Sequence, residues 1–284
     1  MTTTAIVTDS TAWIPKDLTT KYSITVAPQV LIWGEETLND GIDIQPSEFY
    51  ARIKTAKVMP TTSQVSIITM QNIFGDLVKK GFDVLGIFIS AKLSGTMQSA
   101  MQGREALSRG KEKVHIVDSN STAMAMGFQI LAAARALADG ASVAEAQAIA
   151  EKARDYTGVY FAVDTLEFLH RGGRIGGAQR LLGTALNMKP VLALIDGRVE
   201  AIERIRTKGK ALDRILELVS EKVKGQSPIR LASLHANAEQ EARTLLERAT
   251  KELNAAESIL SEVSPVVGNH AGPGVVGLAY MAGM

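Results

Sequence analysis

Short apolar runs alternate with helix-patterned segments through the first half of the chain, and this alternation limits the fold more than any other feature. Residues 5–7, 84–89 and 114–117 read as buried strands that end in polar residues, namely Thr8-Asp9-Ser10, Ser90 and Asp118-Ser119. Between the first two, Ile67, Met70, Phe74, Leu77 and Val78 fall at helical spacing, with Gly81 as a stop. Residues 97–107 and 123–138 read as further helices. A βαβα chain predicts an α/β fold with helices on the faces of a parallel sheet. Ligands of such sheets sit beyond the carboxyl ends of the strands, which here carry serine and threonine.

Residues 24–45 break the rhythm as a small β insertion (26–33 and 38–44), followed by a helix over 46–54. Ser142-Val143-Ala144-Glu145 forms a capping-box pattern, and its helix runs to about Tyr156 as a connection into a second domain. The expected division is residues 1–157, a parallel-sheet α/β domain, and 158–284, an α/β domain with a mixed sheet. In the latter, residues 159–163, 191–195 and 199–205 read as strands, and Asp196-Gly197 marks a tight turn between an antiparallel pair. Helices follow over 208–223 and 238–252, the second behind the capping pattern Asn237-Ala238-Glu239-Gln240. Strands are expected over 230–235, 258–263 and 275–281.

The near balance of 31 basic and 30 acidic side chains gives no field to attract nucleic acid or an anionic membrane. Without cysteine there is no thiolate chemistry, and His115, His170, His235 and His270 show no ligand spacing, so neither metal nor cofactor is expected. No apolar run approaches the roughly 18 residues of a membrane span. The N-terminus lacks the basic and apolar regions of a signal peptide, so the expected location is cytoplasmic. No nucleophile elbow or phosphate loop occurs. The glycines of 172–177 do not match a dinucleotide loop and read as a helix end linked tightly to the next element.

What remains is two hydroxyl-rich turns and one histidine. Pro60-Thr61-Thr62-Ser63-Gln64 and Leu93-Ser94-Gly95-Thr96 both precede helices. Helix N-termini offer free N–H groups and a favourable dipole to an anion, although N-capping explains either turn taken singly. His270 lies in a glycine-rich loop, Gly268-Asn269-His270-Ala271-Gly272-Pro273-Gly274, and spacing alone does not bring it to Ser94. Met97, Met101, Met124 and Met126 follow these turns, and their flexible thioethers suit either an alkyl chain or a core.

Taken together, these segments resemble the DegV family. Ile6-Val7-Thr8-Asp9-Ser10-Thr11 resembles its opening strand and turn, Thr62-Ser63-Gln64-Val65-Ser66 its TSQPS motif, and Leu93-Ser94-Gly95-Thr96-Met97-Gln98-Ser99-Ala100 its LSGTYQSA motif. Residues 164–175 are similar to the DTLEYLRRGGRI signature, and Leu186-Asn187-Met188-Lys189-Pro190 and His270-Ala271-Gly272-Pro273-Gly274 match two more. The resemblance implies a two-domain α/β fold and a non-catalytic carrier that buries one long-chain fatty acid, of about C16–C18, in an apolar tunnel. It places the carboxylate on Thr62, Ser63, Ser94 and His270, with Thr96 as a further candidate ligand, among neutral donors and without a fixed Lys or Arg. It further implies a separate ATP-dependent fatty acid kinase as partner, with Arg171, Arg174 and Arg206 as candidate contacts. Arg171 and Arg174 serve equally well to satisfy carbonyls around the glycine-rich turn. Val65, Ala123 and Ala125 depart from the usual Pro, Ser and Gly, which bears on chain preference. Two rival readings are a lipid or ester hydrolase using Ser94 and His270, and a regulatory protein with structural lipid.

Overall fold

A computed structural model of the chain describes residues 3–183 and 188–284. The chain begins β1 (Thr4–Asp9), α1 (Lys16–Lys21), β2 (Thr25–Ala27), β3 (Val30–Trp33), β4 (Glu36–Asn39), α2 (Pro46–Ile53) and β5 (Thr61–Ser63). It continues α3 (Ile67–Lys79), β6 (Asp83–Phe88), α4 (Thr96–Glu105), β7 (Val114–Asp118), α5 (Ala123–Ala138) and α6 (Val143–Ala153). Then come β8 (Thr157–Ala162), α7 (Glu167–Arg171), β9 (Lys189–Ile195), β10 (Arg198–Ile205), α8 (Lys208–Val223) and β11 (Ile229–His235). The chain closes with α9 (Glu239–Leu253), β12 (Glu257–Glu262), α10 (Pro265–Ala271) and β13 (Val276–Ala282).

Three sheets result. The first is parallel throughout, in the order β2-β1-β6-β7. The second is mixed, in the order β10-β9-β8-β13-β11-β12, with β11 and β12 its parallel pair. The third is a small antiparallel sheet, β4-β3-β5.

Helix α5 explains how the two large sheets come together. Its sequence is apolar almost all round, and a helix of that kind must be covered on every side. Met124, Phe128, Ile130 and Leu131 are fully buried, in one core with Ile6, Leu85 and Ile87 of the parallel sheet and Ala232 and Ala279 of the mixed sheet. On the opposite face of the parallel sheet, Val7 and Phe88 pack with Met70 and Phe74 of α3 and Ala100 of α4. The outer face of the mixed sheet is covered by α8 and α9 through Ile215, Val219, Leu245 and Ala249.

The structure corrects the sequence reading in four places. β2 joins the parallel sheet, and the small sheet takes its third strand from β5, outside the insertion expected near residues 20–45. Thr62 and Ser63 therefore stand on a strand, while the N-cap of α3 is Ser66. His270 lies in the last turn of helix α10, which Gly272 ends at a φ of 84°. Asn237 caps nothing: it adopts a φ of 54°, and α9 starts behind Ala238 without a side-chain cap. The Ser142–Glu145 capping box, the β9–β10 pair and the link through Gly172 and Gly173 form as expected. Leu186 and Asn187 of the Leu186–Pro190 motif lie outside the described residues.

If α5 is the shared wall, Phe128→Ala should cost about 3–5 kcal/mol, the usual range for deleting a buried aromatic side chain. Urea unfolding followed by far-UV dichroism checks this. A loss under 1 kcal/mol would mean that the two sheets do not depend on α5.

Candidate functional site

The mixed sheet turns alternate side chains to opposite faces. Tyr160 and Ala162 of β8 face the α8–α9 layer, so Val159 and Phe161 face α5 and the end of the parallel sheet. With Leu194, Val199 and Leu234 they form one wall of a cavity, and Val266 and Val267 of α10 form another. The cavity gives about 120 Å³ to the centre of a water-sized sphere. One water needs roughly 10–15 Å³ in that measure, so the space exceeds that of a few waters, and it is walled mainly by hydrocarbon.

Its polar lining comes from separate segments: Thr62, Ser63 and Gln64 from β5 and the residue after it, Ser94 from the β6–α4 turn, His270 from α10, Arg174, and Thr11, Gln29 and Thr122. β5 is held by antiparallel pairing to β3, with Thr62 opposite Leu31 and Ser63 opposite Val30. Ser94 is fixed by its own turn. Its Oγ accepts from the Thr96 amide at 3.3 Å and shares a 3.0 Å hydrogen bond with Thr96 Oγ1. Thr96 itself is fully buried behind Ser94. The N-cap of α4 is Gly95, which has no side chain to cap the helix, and it is Ser94 that takes the amide of the first helical residue.

Thr62 Oγ1 and His270 Nε2 are 2.7 Å apart. Burial pushes the His270 pKa down to about 4, and the charges of Arg174 and Arg171 push the same way. The imidazole is therefore neutral near pH 7. Its Nδ1 is buried without a hydrogen-bond partner and faces the backbone of Gly172, where a Cβ would lie 2.0 Å from it. Gly172 is thus a site residue that sequence reading took only as a helix end. Arg174 donates from Nε to Leu93 O at 3.0 Å and from Nη1 to Gly172 O at 2.7 Å. It ties the Ser94 turn to the residue beneath His270, and it places a fixed cation on a cavity wall that sequence reading had expected to lack one.

Beneath the rim is a fully buried carboxylate. Asp9 accepts from Thr11 N at 3.0 Å, Thr11 Oγ1 at 2.5 Å, Gln29 Nε2 at 3.2 Å and Ile89 N at 2.8 Å. Burial raises its pKa, and these hydrogen bonds oppose the rise. They fix Thr11 and Gln29, both cavity-lining, at the carboxyl ends of β1 and β6. The polar strand end Thr8-Asp9-Ser10 was visible in the sequence, but its partner Gln29 was not.

Ser94 hydrogen-bonds to Thr96, and His270 to Thr62. With Nδ1 of His270 unpartnered, the orienting acid of a hydrolase triad is missing at this histidine. Met97, Met124 and Met126 are core residues and Met101 is half exposed; none lines the cavity. Arg171 is exposed, its guanidinium 4.8 Å from the centre of the Phe168 ring, and Arg206 is exposed just after β10. Among the described residues no group of three or more acidic or histidine side chains could hold a metal ion. No described helix is long and apolar enough to cross a membrane.

A family model for uncharacterised proteins of the DegV family matches residues 3–283. The chain is similar to Protein DegV of Bacillus subtilis, with 34% identity over 277 residues that cover 97% of this chain and 98% of that one. A DegV domain-containing protein of Streptomyces coelicolor is 37% identical over 277 residues, 96% of each chain. Among solved structures, DegV of Bacillus subtilis, described as a fatty acid binding protein, superposes with a TM-score of 0.90 at 32% identity, covering 99% of this chain and 100% of that one. A DegV family protein of Thermus thermophilus, described by its fatty acid binding, gives a TM-score of 0.89 at 34% identity, covering 98% and 99%.

The depressed pKa of His270 has a signed consequence. A histidine whose folded pKa lies below its unfolded value binds fewer protons when folded, so its share of stability is complete above about pH 6.5 and is lost as the pH falls toward about 4. Asp40, pushed up to about 6, and Asp9, also raised, act in the opposite sense and are common to wild type and His270→Asn. The wild type should therefore lose up to about 3 kcal/mol relative to His270→Asn between those pH values, read from urea unfolding of both proteins. Parallel stability curves would mean that His270 is solvated and its burial misjudged.

Proposed function

Because the chain belongs to the DegV family, we propose that it is a non-catalytic carrier that holds one fatty acid of about C16–C18 with its carboxylate at the rim formed by Thr62, Ser63, Ser94 and His270. The observation that carries this reading is a mainly apolar cavity whose lining includes hydroxyls and a neutral imidazole in contact with one of them. In this reading the ring proton of His270 sits on Nε2 and is donated to Thr62 Oγ1. A buried N–H with no acceptor at Nδ1 would cost more than a bare ring nitrogen. The Thr62 hydroxyl is then free to donate to the carboxylate, beside those of Ser63 and Ser94. Thr96 steadies Ser94, and Arg174 supplies a positive field through the same wall.

Magnitudes assign the tasks. About 14 buried methylenes offer roughly 11 kcal/mol at about 0.8 kcal/mol each, reduced by the cost of ordering the chain. Each hydrogen bond to the charged head adds about 1.5–3 kcal/mol. The tail provides most of the affinity, and the rim sets register. With no phosphate loop in the sequence, acyl-phosphate formation falls to a separate ATP-dependent fatty acid kinase, met through the exposed Arg171 and Arg206 and the rim arginine Arg174. A cytoplasmic location fits that partnership. The reading also divides the chain at 157/158, supported by the parallel sheet lying before that point and the mixed sheet starting with β8 at Thr157.

Organic extraction and mass spectrometry of freshly purified protein should yield one such acid per chain. Preparations that contain no lipid and bind neither added palmitate nor oleate would sink the carrier reading. Ser94→Ala and His270→Ala should each weaken binding by about 1–3 kcal/mol with the fold intact; unchanged affinity in both would misplace the headgroup. Charge reversal at Arg206 should lower acyl-phosphate formation in a reconstituted pair while lipid content stays normal. Full coupling after replacement of all three arginines would remove them from the docking surface.

A further inference from the structure

Helix α10, which carries His270, is gripped three times by the segment that runs from β3 to β5. At its first turn, Asp40 Oδ1 accepts from Val266 N at 3.3 Å. At its middle, Gly268 packs so closely on Tyr50 that a Cβ would lie 2.2 Å from the phenol oxygen, and Tyr50 Oη donates to Val263 O at 3.1 Å. At its last turn, His270 meets Thr62. Val266 and His270 are four residues apart, so they lie one turn apart on the same side of the helix. A shift of the first turn is passed on to the imidazole.

Asp40 is the foot of this clamp. Its other oxygen, Oδ2, accepts from Ser10 Oγ at 2.7 Å, and Ser10 Oγ in turn accepts from the Gln29 amide at 3.1 Å. Ser264, the N-cap of α10, also favours the charged form of the Asp40 carboxylate. Both oxygens therefore face donors only, and a carboxylate is the group that can accept them all. We propose that Asp40 is a positioning residue for the headgroup site, its ionised carboxylate holding α10 at the height that lets His270 meet Thr62.

An amide in its place has one acceptor oxygen and cannot accept from both Ser10 and Val266, so Asp40→Asn keeps the shape, leaves the Ser10 O–H or the Val266 N–H without its acceptor, and weakens the clamp. Protonation does the same to the wild type. Burial raises Asp40 to about 6; Ser10, Ser264 and the Val266 amide oppose the rise, and the charge of Asp9 adds to it. The groups that face Asp40 are thus Asp9 and Ser10 from the β1 end, Tyr50 from α2, and Ser264 and Val266 from α10. Those that face His270 are Arg171 and Arg174, with its own titration lower, at about 4.

The test reads the His270 ring by NMR in ligand-free protein, with oleate affinity alongside. Only the affinity readout rests on the carrier reading. Wild-type ring signals should step near pH 6, separately from the ring's own titration near pH 4. Asp40→Asn should show no step near pH 6, should hold the low-pH ring position already at pH 7.5, and should bind oleate about tenfold or more weakly. Ser10→Ala, which removes one donor and leaves the carboxylate, should keep the step and move it to higher pH. A step that persists in Asp40→Asn overturns the proposal, as does loss of thermal stability in that variant with ring signals and affinity unchanged. Should Asp40→Asn fail to fold, Ser10→Ala decides, and an unmoved step overturns it. A wild type that binds no fatty acid sinks the carrier reading while the ring titration still reads the clamp.

Discussion

A helix that is apolar on every side cannot rest on one sheet, and the architecture follows from that requirement for α5. One sheet covers part of its surface and leaves the remainder exposed, at a cost of about 25 cal/mol for each Å² of apolar area. The second sheet removes that cost. In doing so it sets the α5-facing side chains of β8, β9 and β11 against the carboxyl ends of β1 and β6. The cavity is the space left where two sheets, each already committed to its own helices, fail to fill the junction.

The rim is assembled at the same junction. Arg174 bonds to Leu93 O, Ser90 Oγ to Gly197 O at 2.9 Å, and Lys92 Nζ to Asp196 O at 2.6 Å, so the β6–α4 turn is stitched to segments of the second half on two sides. The small sheet closes the other side, through Thr62 to His270 and Asp40 to Val266. Gly172, Gly268 and Gly272 allow these approaches, because a Cβ at each would collide with His270, Tyr50 or Phe168. Close packing of this kind transmits displacement instead of absorbing it. The position of His270 is therefore a property of the whole junction and not of α10 alone.

Local signals in the sequence carried most of the elements, and they failed where a residue's role depends on something distant. The parallel core was legible because strands buried on both faces read as continuous apolar runs. The β9–β10 hairpin was legible because Asp196-Gly197 supplies the two positive φ angles, 48° and 75°, that its turn requires. β5 was missed because three polar residues become a strand only by pairing with β3, more than 30 positions earlier. The α10 helix was hidden by its glycines, which weaken helical pattern and are there for contact with Tyr50 and Phe168. Thr62, Ser63, Ser94 and His270 were named from motif resemblance, and the structure brings all four to one cavity. Asp40, Gln29 and Gly172 carried no readable signal, since what they do is defined by partners 19 to 226 positions away or by a clash that is absent.

The neutral state of His270 gives the proposed carrier its character. A charged imidazole beside a carboxylate in a site of low dielectric would form a buried ion pair, whose attraction must first repay several kcal/mol of lost hydration for each ion. Burial and the nearby Arg171 and Arg174 disfavour that charge, which leaves the head to hydroxyl donors of modest individual strength. Affinity then scales with the methylenes in the apolar walls, while the rim only decides where the carboxylate stops. A head held by such donors also meets a smaller barrier to leaving them than one locked in an ion pair.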